Sequence, residues 1–234
     1  MHTLQNKVCV LLYKYNLTLS ALGGLKHIFM DFETLKTQEI VKKVENKMGE
    51  GNFRSFLLGS KVEVLAKIKE LIPEGASVMN GSSTTLNEIG YIDYLKSGEH
   101  PWNNLHEKIL AEKDQKIQAK LRKETTISDY YLGSAVAVTE EGEILVASNS
   151  GSQLPGLTFN ASHVILVLST NKIVKNIEEA FKRLYNYTFP LEDARMKSVG
   201  MGGSGISKIL IYKKEPEFLG RTFTVIFVDE KLGY

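Results

Sequence analysis

The most constraining feature of this sequence is a largely apolar stretch, HVILVLS, at residues 163–169. A continuous apolar run of this length is typical of a strand buried on both faces of a parallel sheet. From Thr34 onward, strand patterns alternate with helical patterns, as in parallel strands that are connected by helices. The sequence therefore predicts an α/β fold with a mostly parallel sheet, three layers thick.

The other elements follow from the spacing of apolar residues. Helical spacing predicts helices at 40–48 and 61–71, two short helices between 86 and 95, a long exposed helix over 103–124 and a helix over 177–187. Strand patterns occur at 54–58, 77–79, 130–132, 135–138, 144–147, 208–212 and 222–229. The segment TEEGE joins two of these strands and predicts a hairpin inserted into the sheet.

Residues 1–29 differ in character from the rest of the chain. They are apolar but interrupted by Lys14 and Asn16, and the run at 8–13 is much shorter than the roughly 20 residues of a membrane span. Met30 opens an acidic turn followed by an amphipathic helix. We expect residues 1–29 to be an extension or an upstream start, which mass spectrometry of the native N-terminus would test, and 30–234 to be a single domain.

Composition excludes several classes of function. There are 29 Lys plus Arg against 27 Asp plus Glu, so the formal net charge of +2 predicts no nucleic-acid or membrane partner. An anion site must therefore be local. A lone Cys9 forms no internal disulfide or cysteine-bound cluster, which favours a cytoplasmic protein. The five histidines lack an i, i+4 ligand spacing, so we predict no metal and no cofactor.

The segment NGSSTTLNEIG at 80–90 has the parts of an anion cradle. It joins a predicted strand to a helix start through a turn of small residues, whose backbone amides are accessible. The ligand-binding candidates in this turn are Gly81, Ser82, Ser83, Thr84 and Thr85. The spacing fits neither the Walker motif nor the dinucleotide-binding glycine motif. A plain turn, with one hydroxyl capping the helix, is the alternative.

A second group of candidates surrounds the predicted hairpin. Glu140 lies at its turn and is a candidate acid, base or nucleophile, although a hairpin turn rich in glutamate is more often simply solvated. Asn149, Ser150 and Gly151 follow the next strand, and ligands collect at the carboxyl ends of strands in such sheets.

A third loop contains four glycines between residues 199 and 206. Gly202, Gly203 and Ser204 offer backbone amides to a phosphate or carboxylate, and Lys208 adds a positive charge. A mobile surface connection is the alternative.

These motifs occur in the order in which they are found in the lactate-utilisation, or LUD, domain family, which the chain resembles over about residues 34–234. NGSSTTLNEIGYIDYL is similar to the family's Gly-Ser-x-Thr-Leu-x-Glu-x-Gly segment, with Glu88 at the acidic position. Thr139, Glu140 and Gly142 resemble a family turn, NKIVKNIEEA follows a strand as in the family, and GRTFTVIFVDEKLGY resembles its closing strand. The family turn often reads Ala-Glu-Thr-Gly, so which glutamate matters here stays open.

The resemblance implies a Rossmann-like topology, similar to the sugar-phosphate isomerase and CoA-transferase superfold. It also implies a part in oxidising lactate to pyruvate, as the cluster-free component of a cytoplasmic assembly with an iron–sulfur partner subunit. A small anionic metabolite is the expected ligand, and a homo-oligomer is compatible with this function.

Two other functions remain open. One is an enzyme that binds a sugar phosphate or CoA-like anion, with Glu140 or Glu88 as base or nucleophile. The other is a non-catalytic binding or regulatory protein.

Overall fold

The computed structural model describes residues 31–234. Residues 33–234 form one compact unit. The prediction for residues 1–29 lies outside the described residues.

Ten strands and eight α-helices are described, numbered here in chain order. The strands are β1 Arg54–Leu58, β2 Ser77–Asn80, β3 Asn103–Asn104, β4 Tyr130–Gly133, β5 Ala137–Thr139, β6 Ile144–Ser148, β7 His163–Ser169, β8 Ile173–Val174, β9 Lys208–Tyr212 and β10 Thr222–Val228. The helices are α1 Gln38–Glu50, α2 Lys61–Leu71, α3 Thr84–Glu88, α4 Tyr91–Ser97, α5 Leu105–Ala111, α6 Gln115–Glu124, α7 Ile177–Arg183 and α8 Phe189–Ser198.

The main sheet has six strands in the order β1-β10-β7-β4-β2-β3, and all its neighbours are parallel. The long apolar strand β7 lies inside it, paired with β10 from His163 beside Thr222 to Ser169 beside Val228. Its residues after His163 are buried. The predicted α/β class, with a mostly parallel and Rossmann-like sheet flanked by helices, is confirmed.

Alternate residues of β7 divide the interior into two hydrophobic cores. Val164, Leu166 and Leu168 pack with α1, α5 and the hairpin strands, whereas Ile165 and Val167 pack with residues of α2, α3 and α4. Successive side chains of a strand point to opposite faces, so these cores lie on the two sides of the sheet. The sheet is therefore the middle one of three layers.

The predicted hairpin forms between β5 and β6, but it does not join the main sheet. It belongs to a second sheet of four strands in the order β8-β5-β6-β9. The β5 pair with β8 is parallel, and the β6 pairs with β5 and β9 are antiparallel. Sequence periodicity predicts strands without saying which sheet they enter, so this division was not predicted.

The prediction of one long helix over 103–124 was wrong. The segment begins with β3, continues as α5 and restarts as α6, because the Asp114 side chain accepts hydrogen bonds from the backbone amides of Lys116 and Ile117 and caps a new helix. The helix predicted over 177–187 is α7 followed by a π-helical turn, which leads into α8, an unpredicted helix. Within residues 31–234, no helix has the length and apolar character needed to cross a membrane.

Candidate functional site

The fold places a natural ligand position at the carboxyl ends of β2 and β4. The chain leaves β2 towards β3 and leaves β4 towards β7, which lie on opposite sides of this strand pair. Such a reversal of direction opens a crevice at the carboxyl edge of a parallel sheet. The residues that follow β2, β4 and β7 therefore lie near one another, and they include Thr85, Ser134 and Lys172.

The turn after β2 is both a helix cap and a contributor to this crevice. Ser83 caps α3, since its hydroxyl accepts a hydrogen bond from the amide of Leu86 at 3.2 Å. Ser82 is exposed. Thr85 is 1% exposed, and its hydroxyl faces Lys172. The capped-turn interpretation thus describes Ser83, while Thr85 is turned towards the crevice.

Lys172 is the central side chain of the crevice and is only 2% exposed. It lies in a 3₁₀ turn directly after β7. Its Nζ donates hydrogen bonds to the hydroxyls of Thr85 at 3.2 Å and Ser134 at 3.1 Å. Its environment lowers the pKa of Lys172 from 10.5 to about 7, first through burial and then through the positive charge of Arg183, against a smaller opposing effect of Glu88.

Arg183 is the second buried cation of this region, with no exposed side-chain surface. Its Nη1 donates to the carbonyl oxygen of Val136 at 2.6 Å and to the hydroxyl of Thr188 at 2.8 Å. Its Nε and Nη2 are buried without a hydrogen-bond partner in the described part of the chain. Burial lowers its pKa to about 10, so the guanidinium stays charged at neutral pH. Such donors are costly unless they are paired.

Residues 232–234 cover the Lys172 amine and are here called the strap. The Gly233 amide donates to Oε2 of Glu88 at 2.6 Å, with its φ at +57°. A Cβ at Gly233 would lie 2.3 Å from Oγ1 of Thr85 and 3.2 Å from Nζ of Lys172. Only glycine lets the backbone pass this close in this conformation.

The end of the strap is held by a polar cluster on α8. The Tyr234 hydroxyl donates to Oε2 of Glu192 and accepts a hydrogen bond from Nε of Arg195 at 3.1 Å. Thr84 also donates to this hydroxyl, at 3.4 Å. The strap is thus anchored to α8 and to the first residue of α3.

A pocket of about 420 Å³ lies beside the strap and is here called the outer pocket. It is lined by Glu33, Lys61, Glu88, Asn171, Tyr187, Glu230, Lys231, Leu232 and Gly233. Oδ1 of Asn171 is buried and has no hydrogen-bond partner within residues 31–234. Gly233 lines the pocket and its backbone also approaches the Lys172 amine, which does not itself line the pocket.

A second set of predicted residues converges next to β2. A Cβ at Gly81 would lie 3.0 Å from the Gln153 side chain, which follows the loop of Asn149, Ser150 and Gly151. That loop is ordered internally, since the Gly151 amide donates to the Ser148 hydroxyl at 2.9 Å and the Ser150 hydroxyl donates to Ser152 at 3.0 Å. The first two predicted loops are therefore neighbours.

Lys208 and Asn149 connect the third loop to the second. A Cβ at Gly151 would lie 2.6 Å from the Lys208 side chain, and the Ser207 hydroxyl donates to Oδ1 of Asn149 at 3.1 Å.

The remaining predicted residues are engaged elsewhere. The Ser204 amide donates to a carboxylate of the protein itself, Asp193, at 2.8 Å. The φ angles of Gly202 and Gly203 are +70° and +112°, and they shape the turn around this carboxylate. Glu140 forms an ion pair with Lys43 at 2.7 Å and does not line the pocket.

Sequence reasoning missed the residues at the centre of the site. Of the predicted residues, Thr84, Thr85 and Glu88 border it, but Lys172, Ser134, Arg183 and Gly233 were not candidates. One signal was available for Lys172, because a single lysine stands between the apolar strand β7 and the apolar pair of β8. A cation between two buried strands is either paired or functional.

Comparisons with known proteins identify the family. A model of the LUD domain matches residues 41–228. A crystal structure of a DUF162 family protein from Deinococcus radiodurans resembles the chain with 13% identity, 83% of this chain and 99% of that chain covered, and a TM-score of 0.49. None of the curated proteins compared with the chain matches it. The chain belongs to the LUD domain family.

Proposed function

We propose that this LUD-domain chain binds a small 2-hydroxy or 2-oxo acid in the crevice of Lys172 and Arg183, as a cytoplasmic component of lactate utilisation without its own iron–sulfur cluster. The observation that carries the proposal is the buried Arg183, which has two nitrogens without a hydrogen-bond partner in the described part of the chain and whose charge lowers the pKa of Lys172. Lys172 follows the carboxyl end of β7, and Arg183 donates to the carbonyl oxygen of Val136, three residues after the end of β4.

A carboxylate is the ligand group that this arrangement favours. A guanidinium with free N–H groups binds a carboxylate through charge-assisted hydrogen bonds, and low local polarity strengthens them. The Lys172 amine and its neighbouring hydroxyls offer polar partners for an oxygen on the adjacent carbon. Lactate and pyruvate each combine a carboxylate with such an oxygen, so both match the groups present.

The link to lactate comes from the family, and the sequence adds a restriction. With Cys9 as its single cysteine, the chain does not provide a cysteine-ligated iron–sulfur cluster. Electrons taken from lactate would therefore pass to a partner that carries the redox centres. This is the basis for proposing an iron–sulfur partner subunit.

Thermal unfolding with lactate, pyruvate and pyruvamide tests the binding step. A ligand at about 100 times its Kd adds about 2.7 kcal/mol of stability, which raises the Tm by roughly 5–10 °C for a chain of this size. We expect lactate and pyruvate to produce the shift and pyruvamide, which lacks the carboxylate, to produce little. Arg183→Lys keeps a charge but loses the planar donor pair, so it should weaken both acids.

Equal shifts with pyruvamide, or none with either acid, would contradict the proposed site. The pathway is tested separately, by removing the gene and by purifying the tagged protein from lactate-grown cells. Impaired growth on lactate and co-purification of an iron–sulfur protein are expected. Normal growth would contradict the role in lactate utilisation and leave acid binding intact.

A larger phosphorylated anion is a second candidate ligand. It is favoured by the convergence of Gly81, Asn149, Gly151 and Lys208 beside β2. Sugar phosphates and CoA esters belong in the same thermal screen. A shift that Lys208→Met abolishes and Arg183→Lys preserves would favour this ligand class.

A further inference from the structure

The hydrogen bonds around Lys172 fit a neutral amine. The Ser134 hydroxyl donates to the carbonyl oxygen of Val167 at 2.8 Å, and the Thr85 hydroxyl donates to Ser134 at 3.4 Å. Both oxygens therefore accept from Nζ. A neutral amine uses its two N–H groups in this way and keeps a lone pair, whereas an ammonium ion has a third N–H for which residues 31–234 offer no acceptor.

A buried neutral amine is a nucleophile, because its lone pair is not bound to a proton. The position of Lys172 relative to Arg183 suggests the electrophile. Lys172 contacts Ser134, and Arg183 contacts the carbonyl oxygen of Val136, two residues further along the chain. A compound with a carbonyl carbon bonded directly to a carboxylate presents one group to the amine and the other to the guanidinium.

We propose that Lys172 forms an imine with the carbonyl carbon of a 2-oxo acid whose carboxylate is held by Arg183. This inference rests on the proposed acid-binding function and adds a covalent step to it. It assigns Lys172 as the reacting group and makes Thr85 and Ser134 positioning residues that orient its lone pair.

The step is balanced without any further reactant. The nitrogen lone pair forms a bond to the carbonyl carbon, and the π electrons of the C=O bond move to the oxygen to give a carbinolamine. The two N–H protons then leave with that oxygen as one water molecule, and the C=N bond forms. No electron is gained or lost, so the step needs no oxidant or reductant.

The strap controls access to this amine. An ideal Cβ at Gly233 would lie 3.2 Å from Nζ of Lys172, so the Gly233 backbone passes close to the amine. A ligand in the outer pocket reaches Lys172 when the bond between the Gly233 amide and Glu88 opens. Glu88 is therefore assigned to holding the strap closed.

Borohydride trapping tests the proposal directly. The full chain is incubated with sodium pyruvate, reduced with sodium borohydride and analysed by intact mass and peptide mapping. We expect one reduced pyruvate per chain, located on Lys172. Lactate has no carbonyl group and should give no adduct. Lys172→Met should abolish the adduct, and Lys116→Met, which removes an exposed lysine of α6, should retain it.

Parallel thermal unfolding separates this proposal from the function on which it rests. Stabilisation by both acids with no adduct on Lys172 would overturn the imine and leave acid binding in place. Absence of both stabilisation and adduct would overturn the two together. An adduct that is spread over exposed lysines would also overturn the assignment, as would one that is unchanged in Lys172→Met. Peptide mapping of the adduct on the parent protein gives this result even if the variant does not fold.

Discussion

Replacing Lys172 by methionine should stabilise the protein at neutral pH, although it removes two hydrogen bonds. Methionine has a similar length and no charge, so it fills the same space between Thr85 and Ser134. The native lysine is costly because burial in the folded chain lowers the pKa of its amine from 10.5 to about 7. Between these values the unfolded chain binds more protons, and stability therefore rises with pH from about 7 to 10.5.

The size of the effect follows from that difference. At about 1.36 kcal/mol per pKa unit, burial of this amine costs about 5 kcal/mol below pH 7 and nothing above 10.5. Against this, the variant loses hydrogen bonds to two hydroxyls, worth about 1 kcal/mol each. At pH 7 the net gain is about 2–3 kcal/mol, which raises the Tm by roughly 5–10 °C. The two curves of stability against pH should cross at about pH 9.

Urea unfolding at several pH values between 7 and 10 measures this crossing. Lys116→Met, at an exposed position of α6, is the matched control and should stay within about 0.5 kcal/mol of the parent. If Lys172→Met is less stable than the parent at pH 7, by an amount that does not change with pH, the pKa of the Lys172 amine is not lowered in the folded chain.

Three further substitutions test other parts of the structure. Gly233→Ala should lose about 2–4 kcal/mol of unfolding free energy, since the new methyl group would overlap the Thr85 side chain. Gly220→Ala, at a similar φ of +64° but in open space, should lose only about 1 kcal/mol. Equal losses in urea unfolding would exclude the close approach of Gly233 to the crevice. Burial raises the pKa of Glu215, so the ionised carboxylate destabilises the folded chain as the pH rises above 4.5. Glu215→Gln should therefore become more stable relative to the parent as the pH rises above 4.5. A difference in unfolding free energy that does not change with pH would contradict this. Ser83→Ala should lose about 1 kcal/mol of unfolding free energy through the lost cap, while the neighbouring Ser82→Ala should be nearly neutral, and equal effects would argue against the cap.

The strands of the main sheet other than β3 could be predicted, because the residues of each strand show the strand pattern by themselves. Residues 164–168 of β7 are all apolar and buried, and only a strand covered on both faces requires such a run. The neighbouring strand β10 has six buried residues after Thr222, and five of them are apolar. Hydrophobic burial therefore determined both the element type and the layer, and no long-range information was needed.

The second sheet and the break after α5 depend on information of another kind. The sequence pattern of β5 and β6 predicts a hairpin. Their place in a separate sheet depends on the distant strand β9, which pairs with β6 from Ile144 beside Tyr212 to Ser148 beside Lys208. The break near Asp114 lies in a segment of good helix formers, where a capping side chain competes with helix continuation. A helix cap inside a charged segment has little hydrophobic pattern to reveal it.

The centre of the site was hidden because it is assembled from residues that look structural in the sequence. Lys172 falls between two buried strands, Ser134 follows a strand without a motif, and Arg183 lies in the last turn of α7, where a cation ordinarily complements the helix dipole. Burial turns each of them into a functional candidate, and burial depends on contacts far apart in the chain. The contact between Lys172 and Thr85, for example, joins residues 87 positions apart.

The glycine- and serine-rich turn after β2 now has a more specific role than an anion cradle. Its helix, α3, is five residues long, and the Ser83 hydroxyl is already used as its cap. What the turn contributes is the position of Thr85, whose hydroxyl orients the Lys172 amine, and of Thr84, which helps to hold Tyr234. The residues that suggested a loop for a free anion thus contact a buried amine and the strap that lies over it.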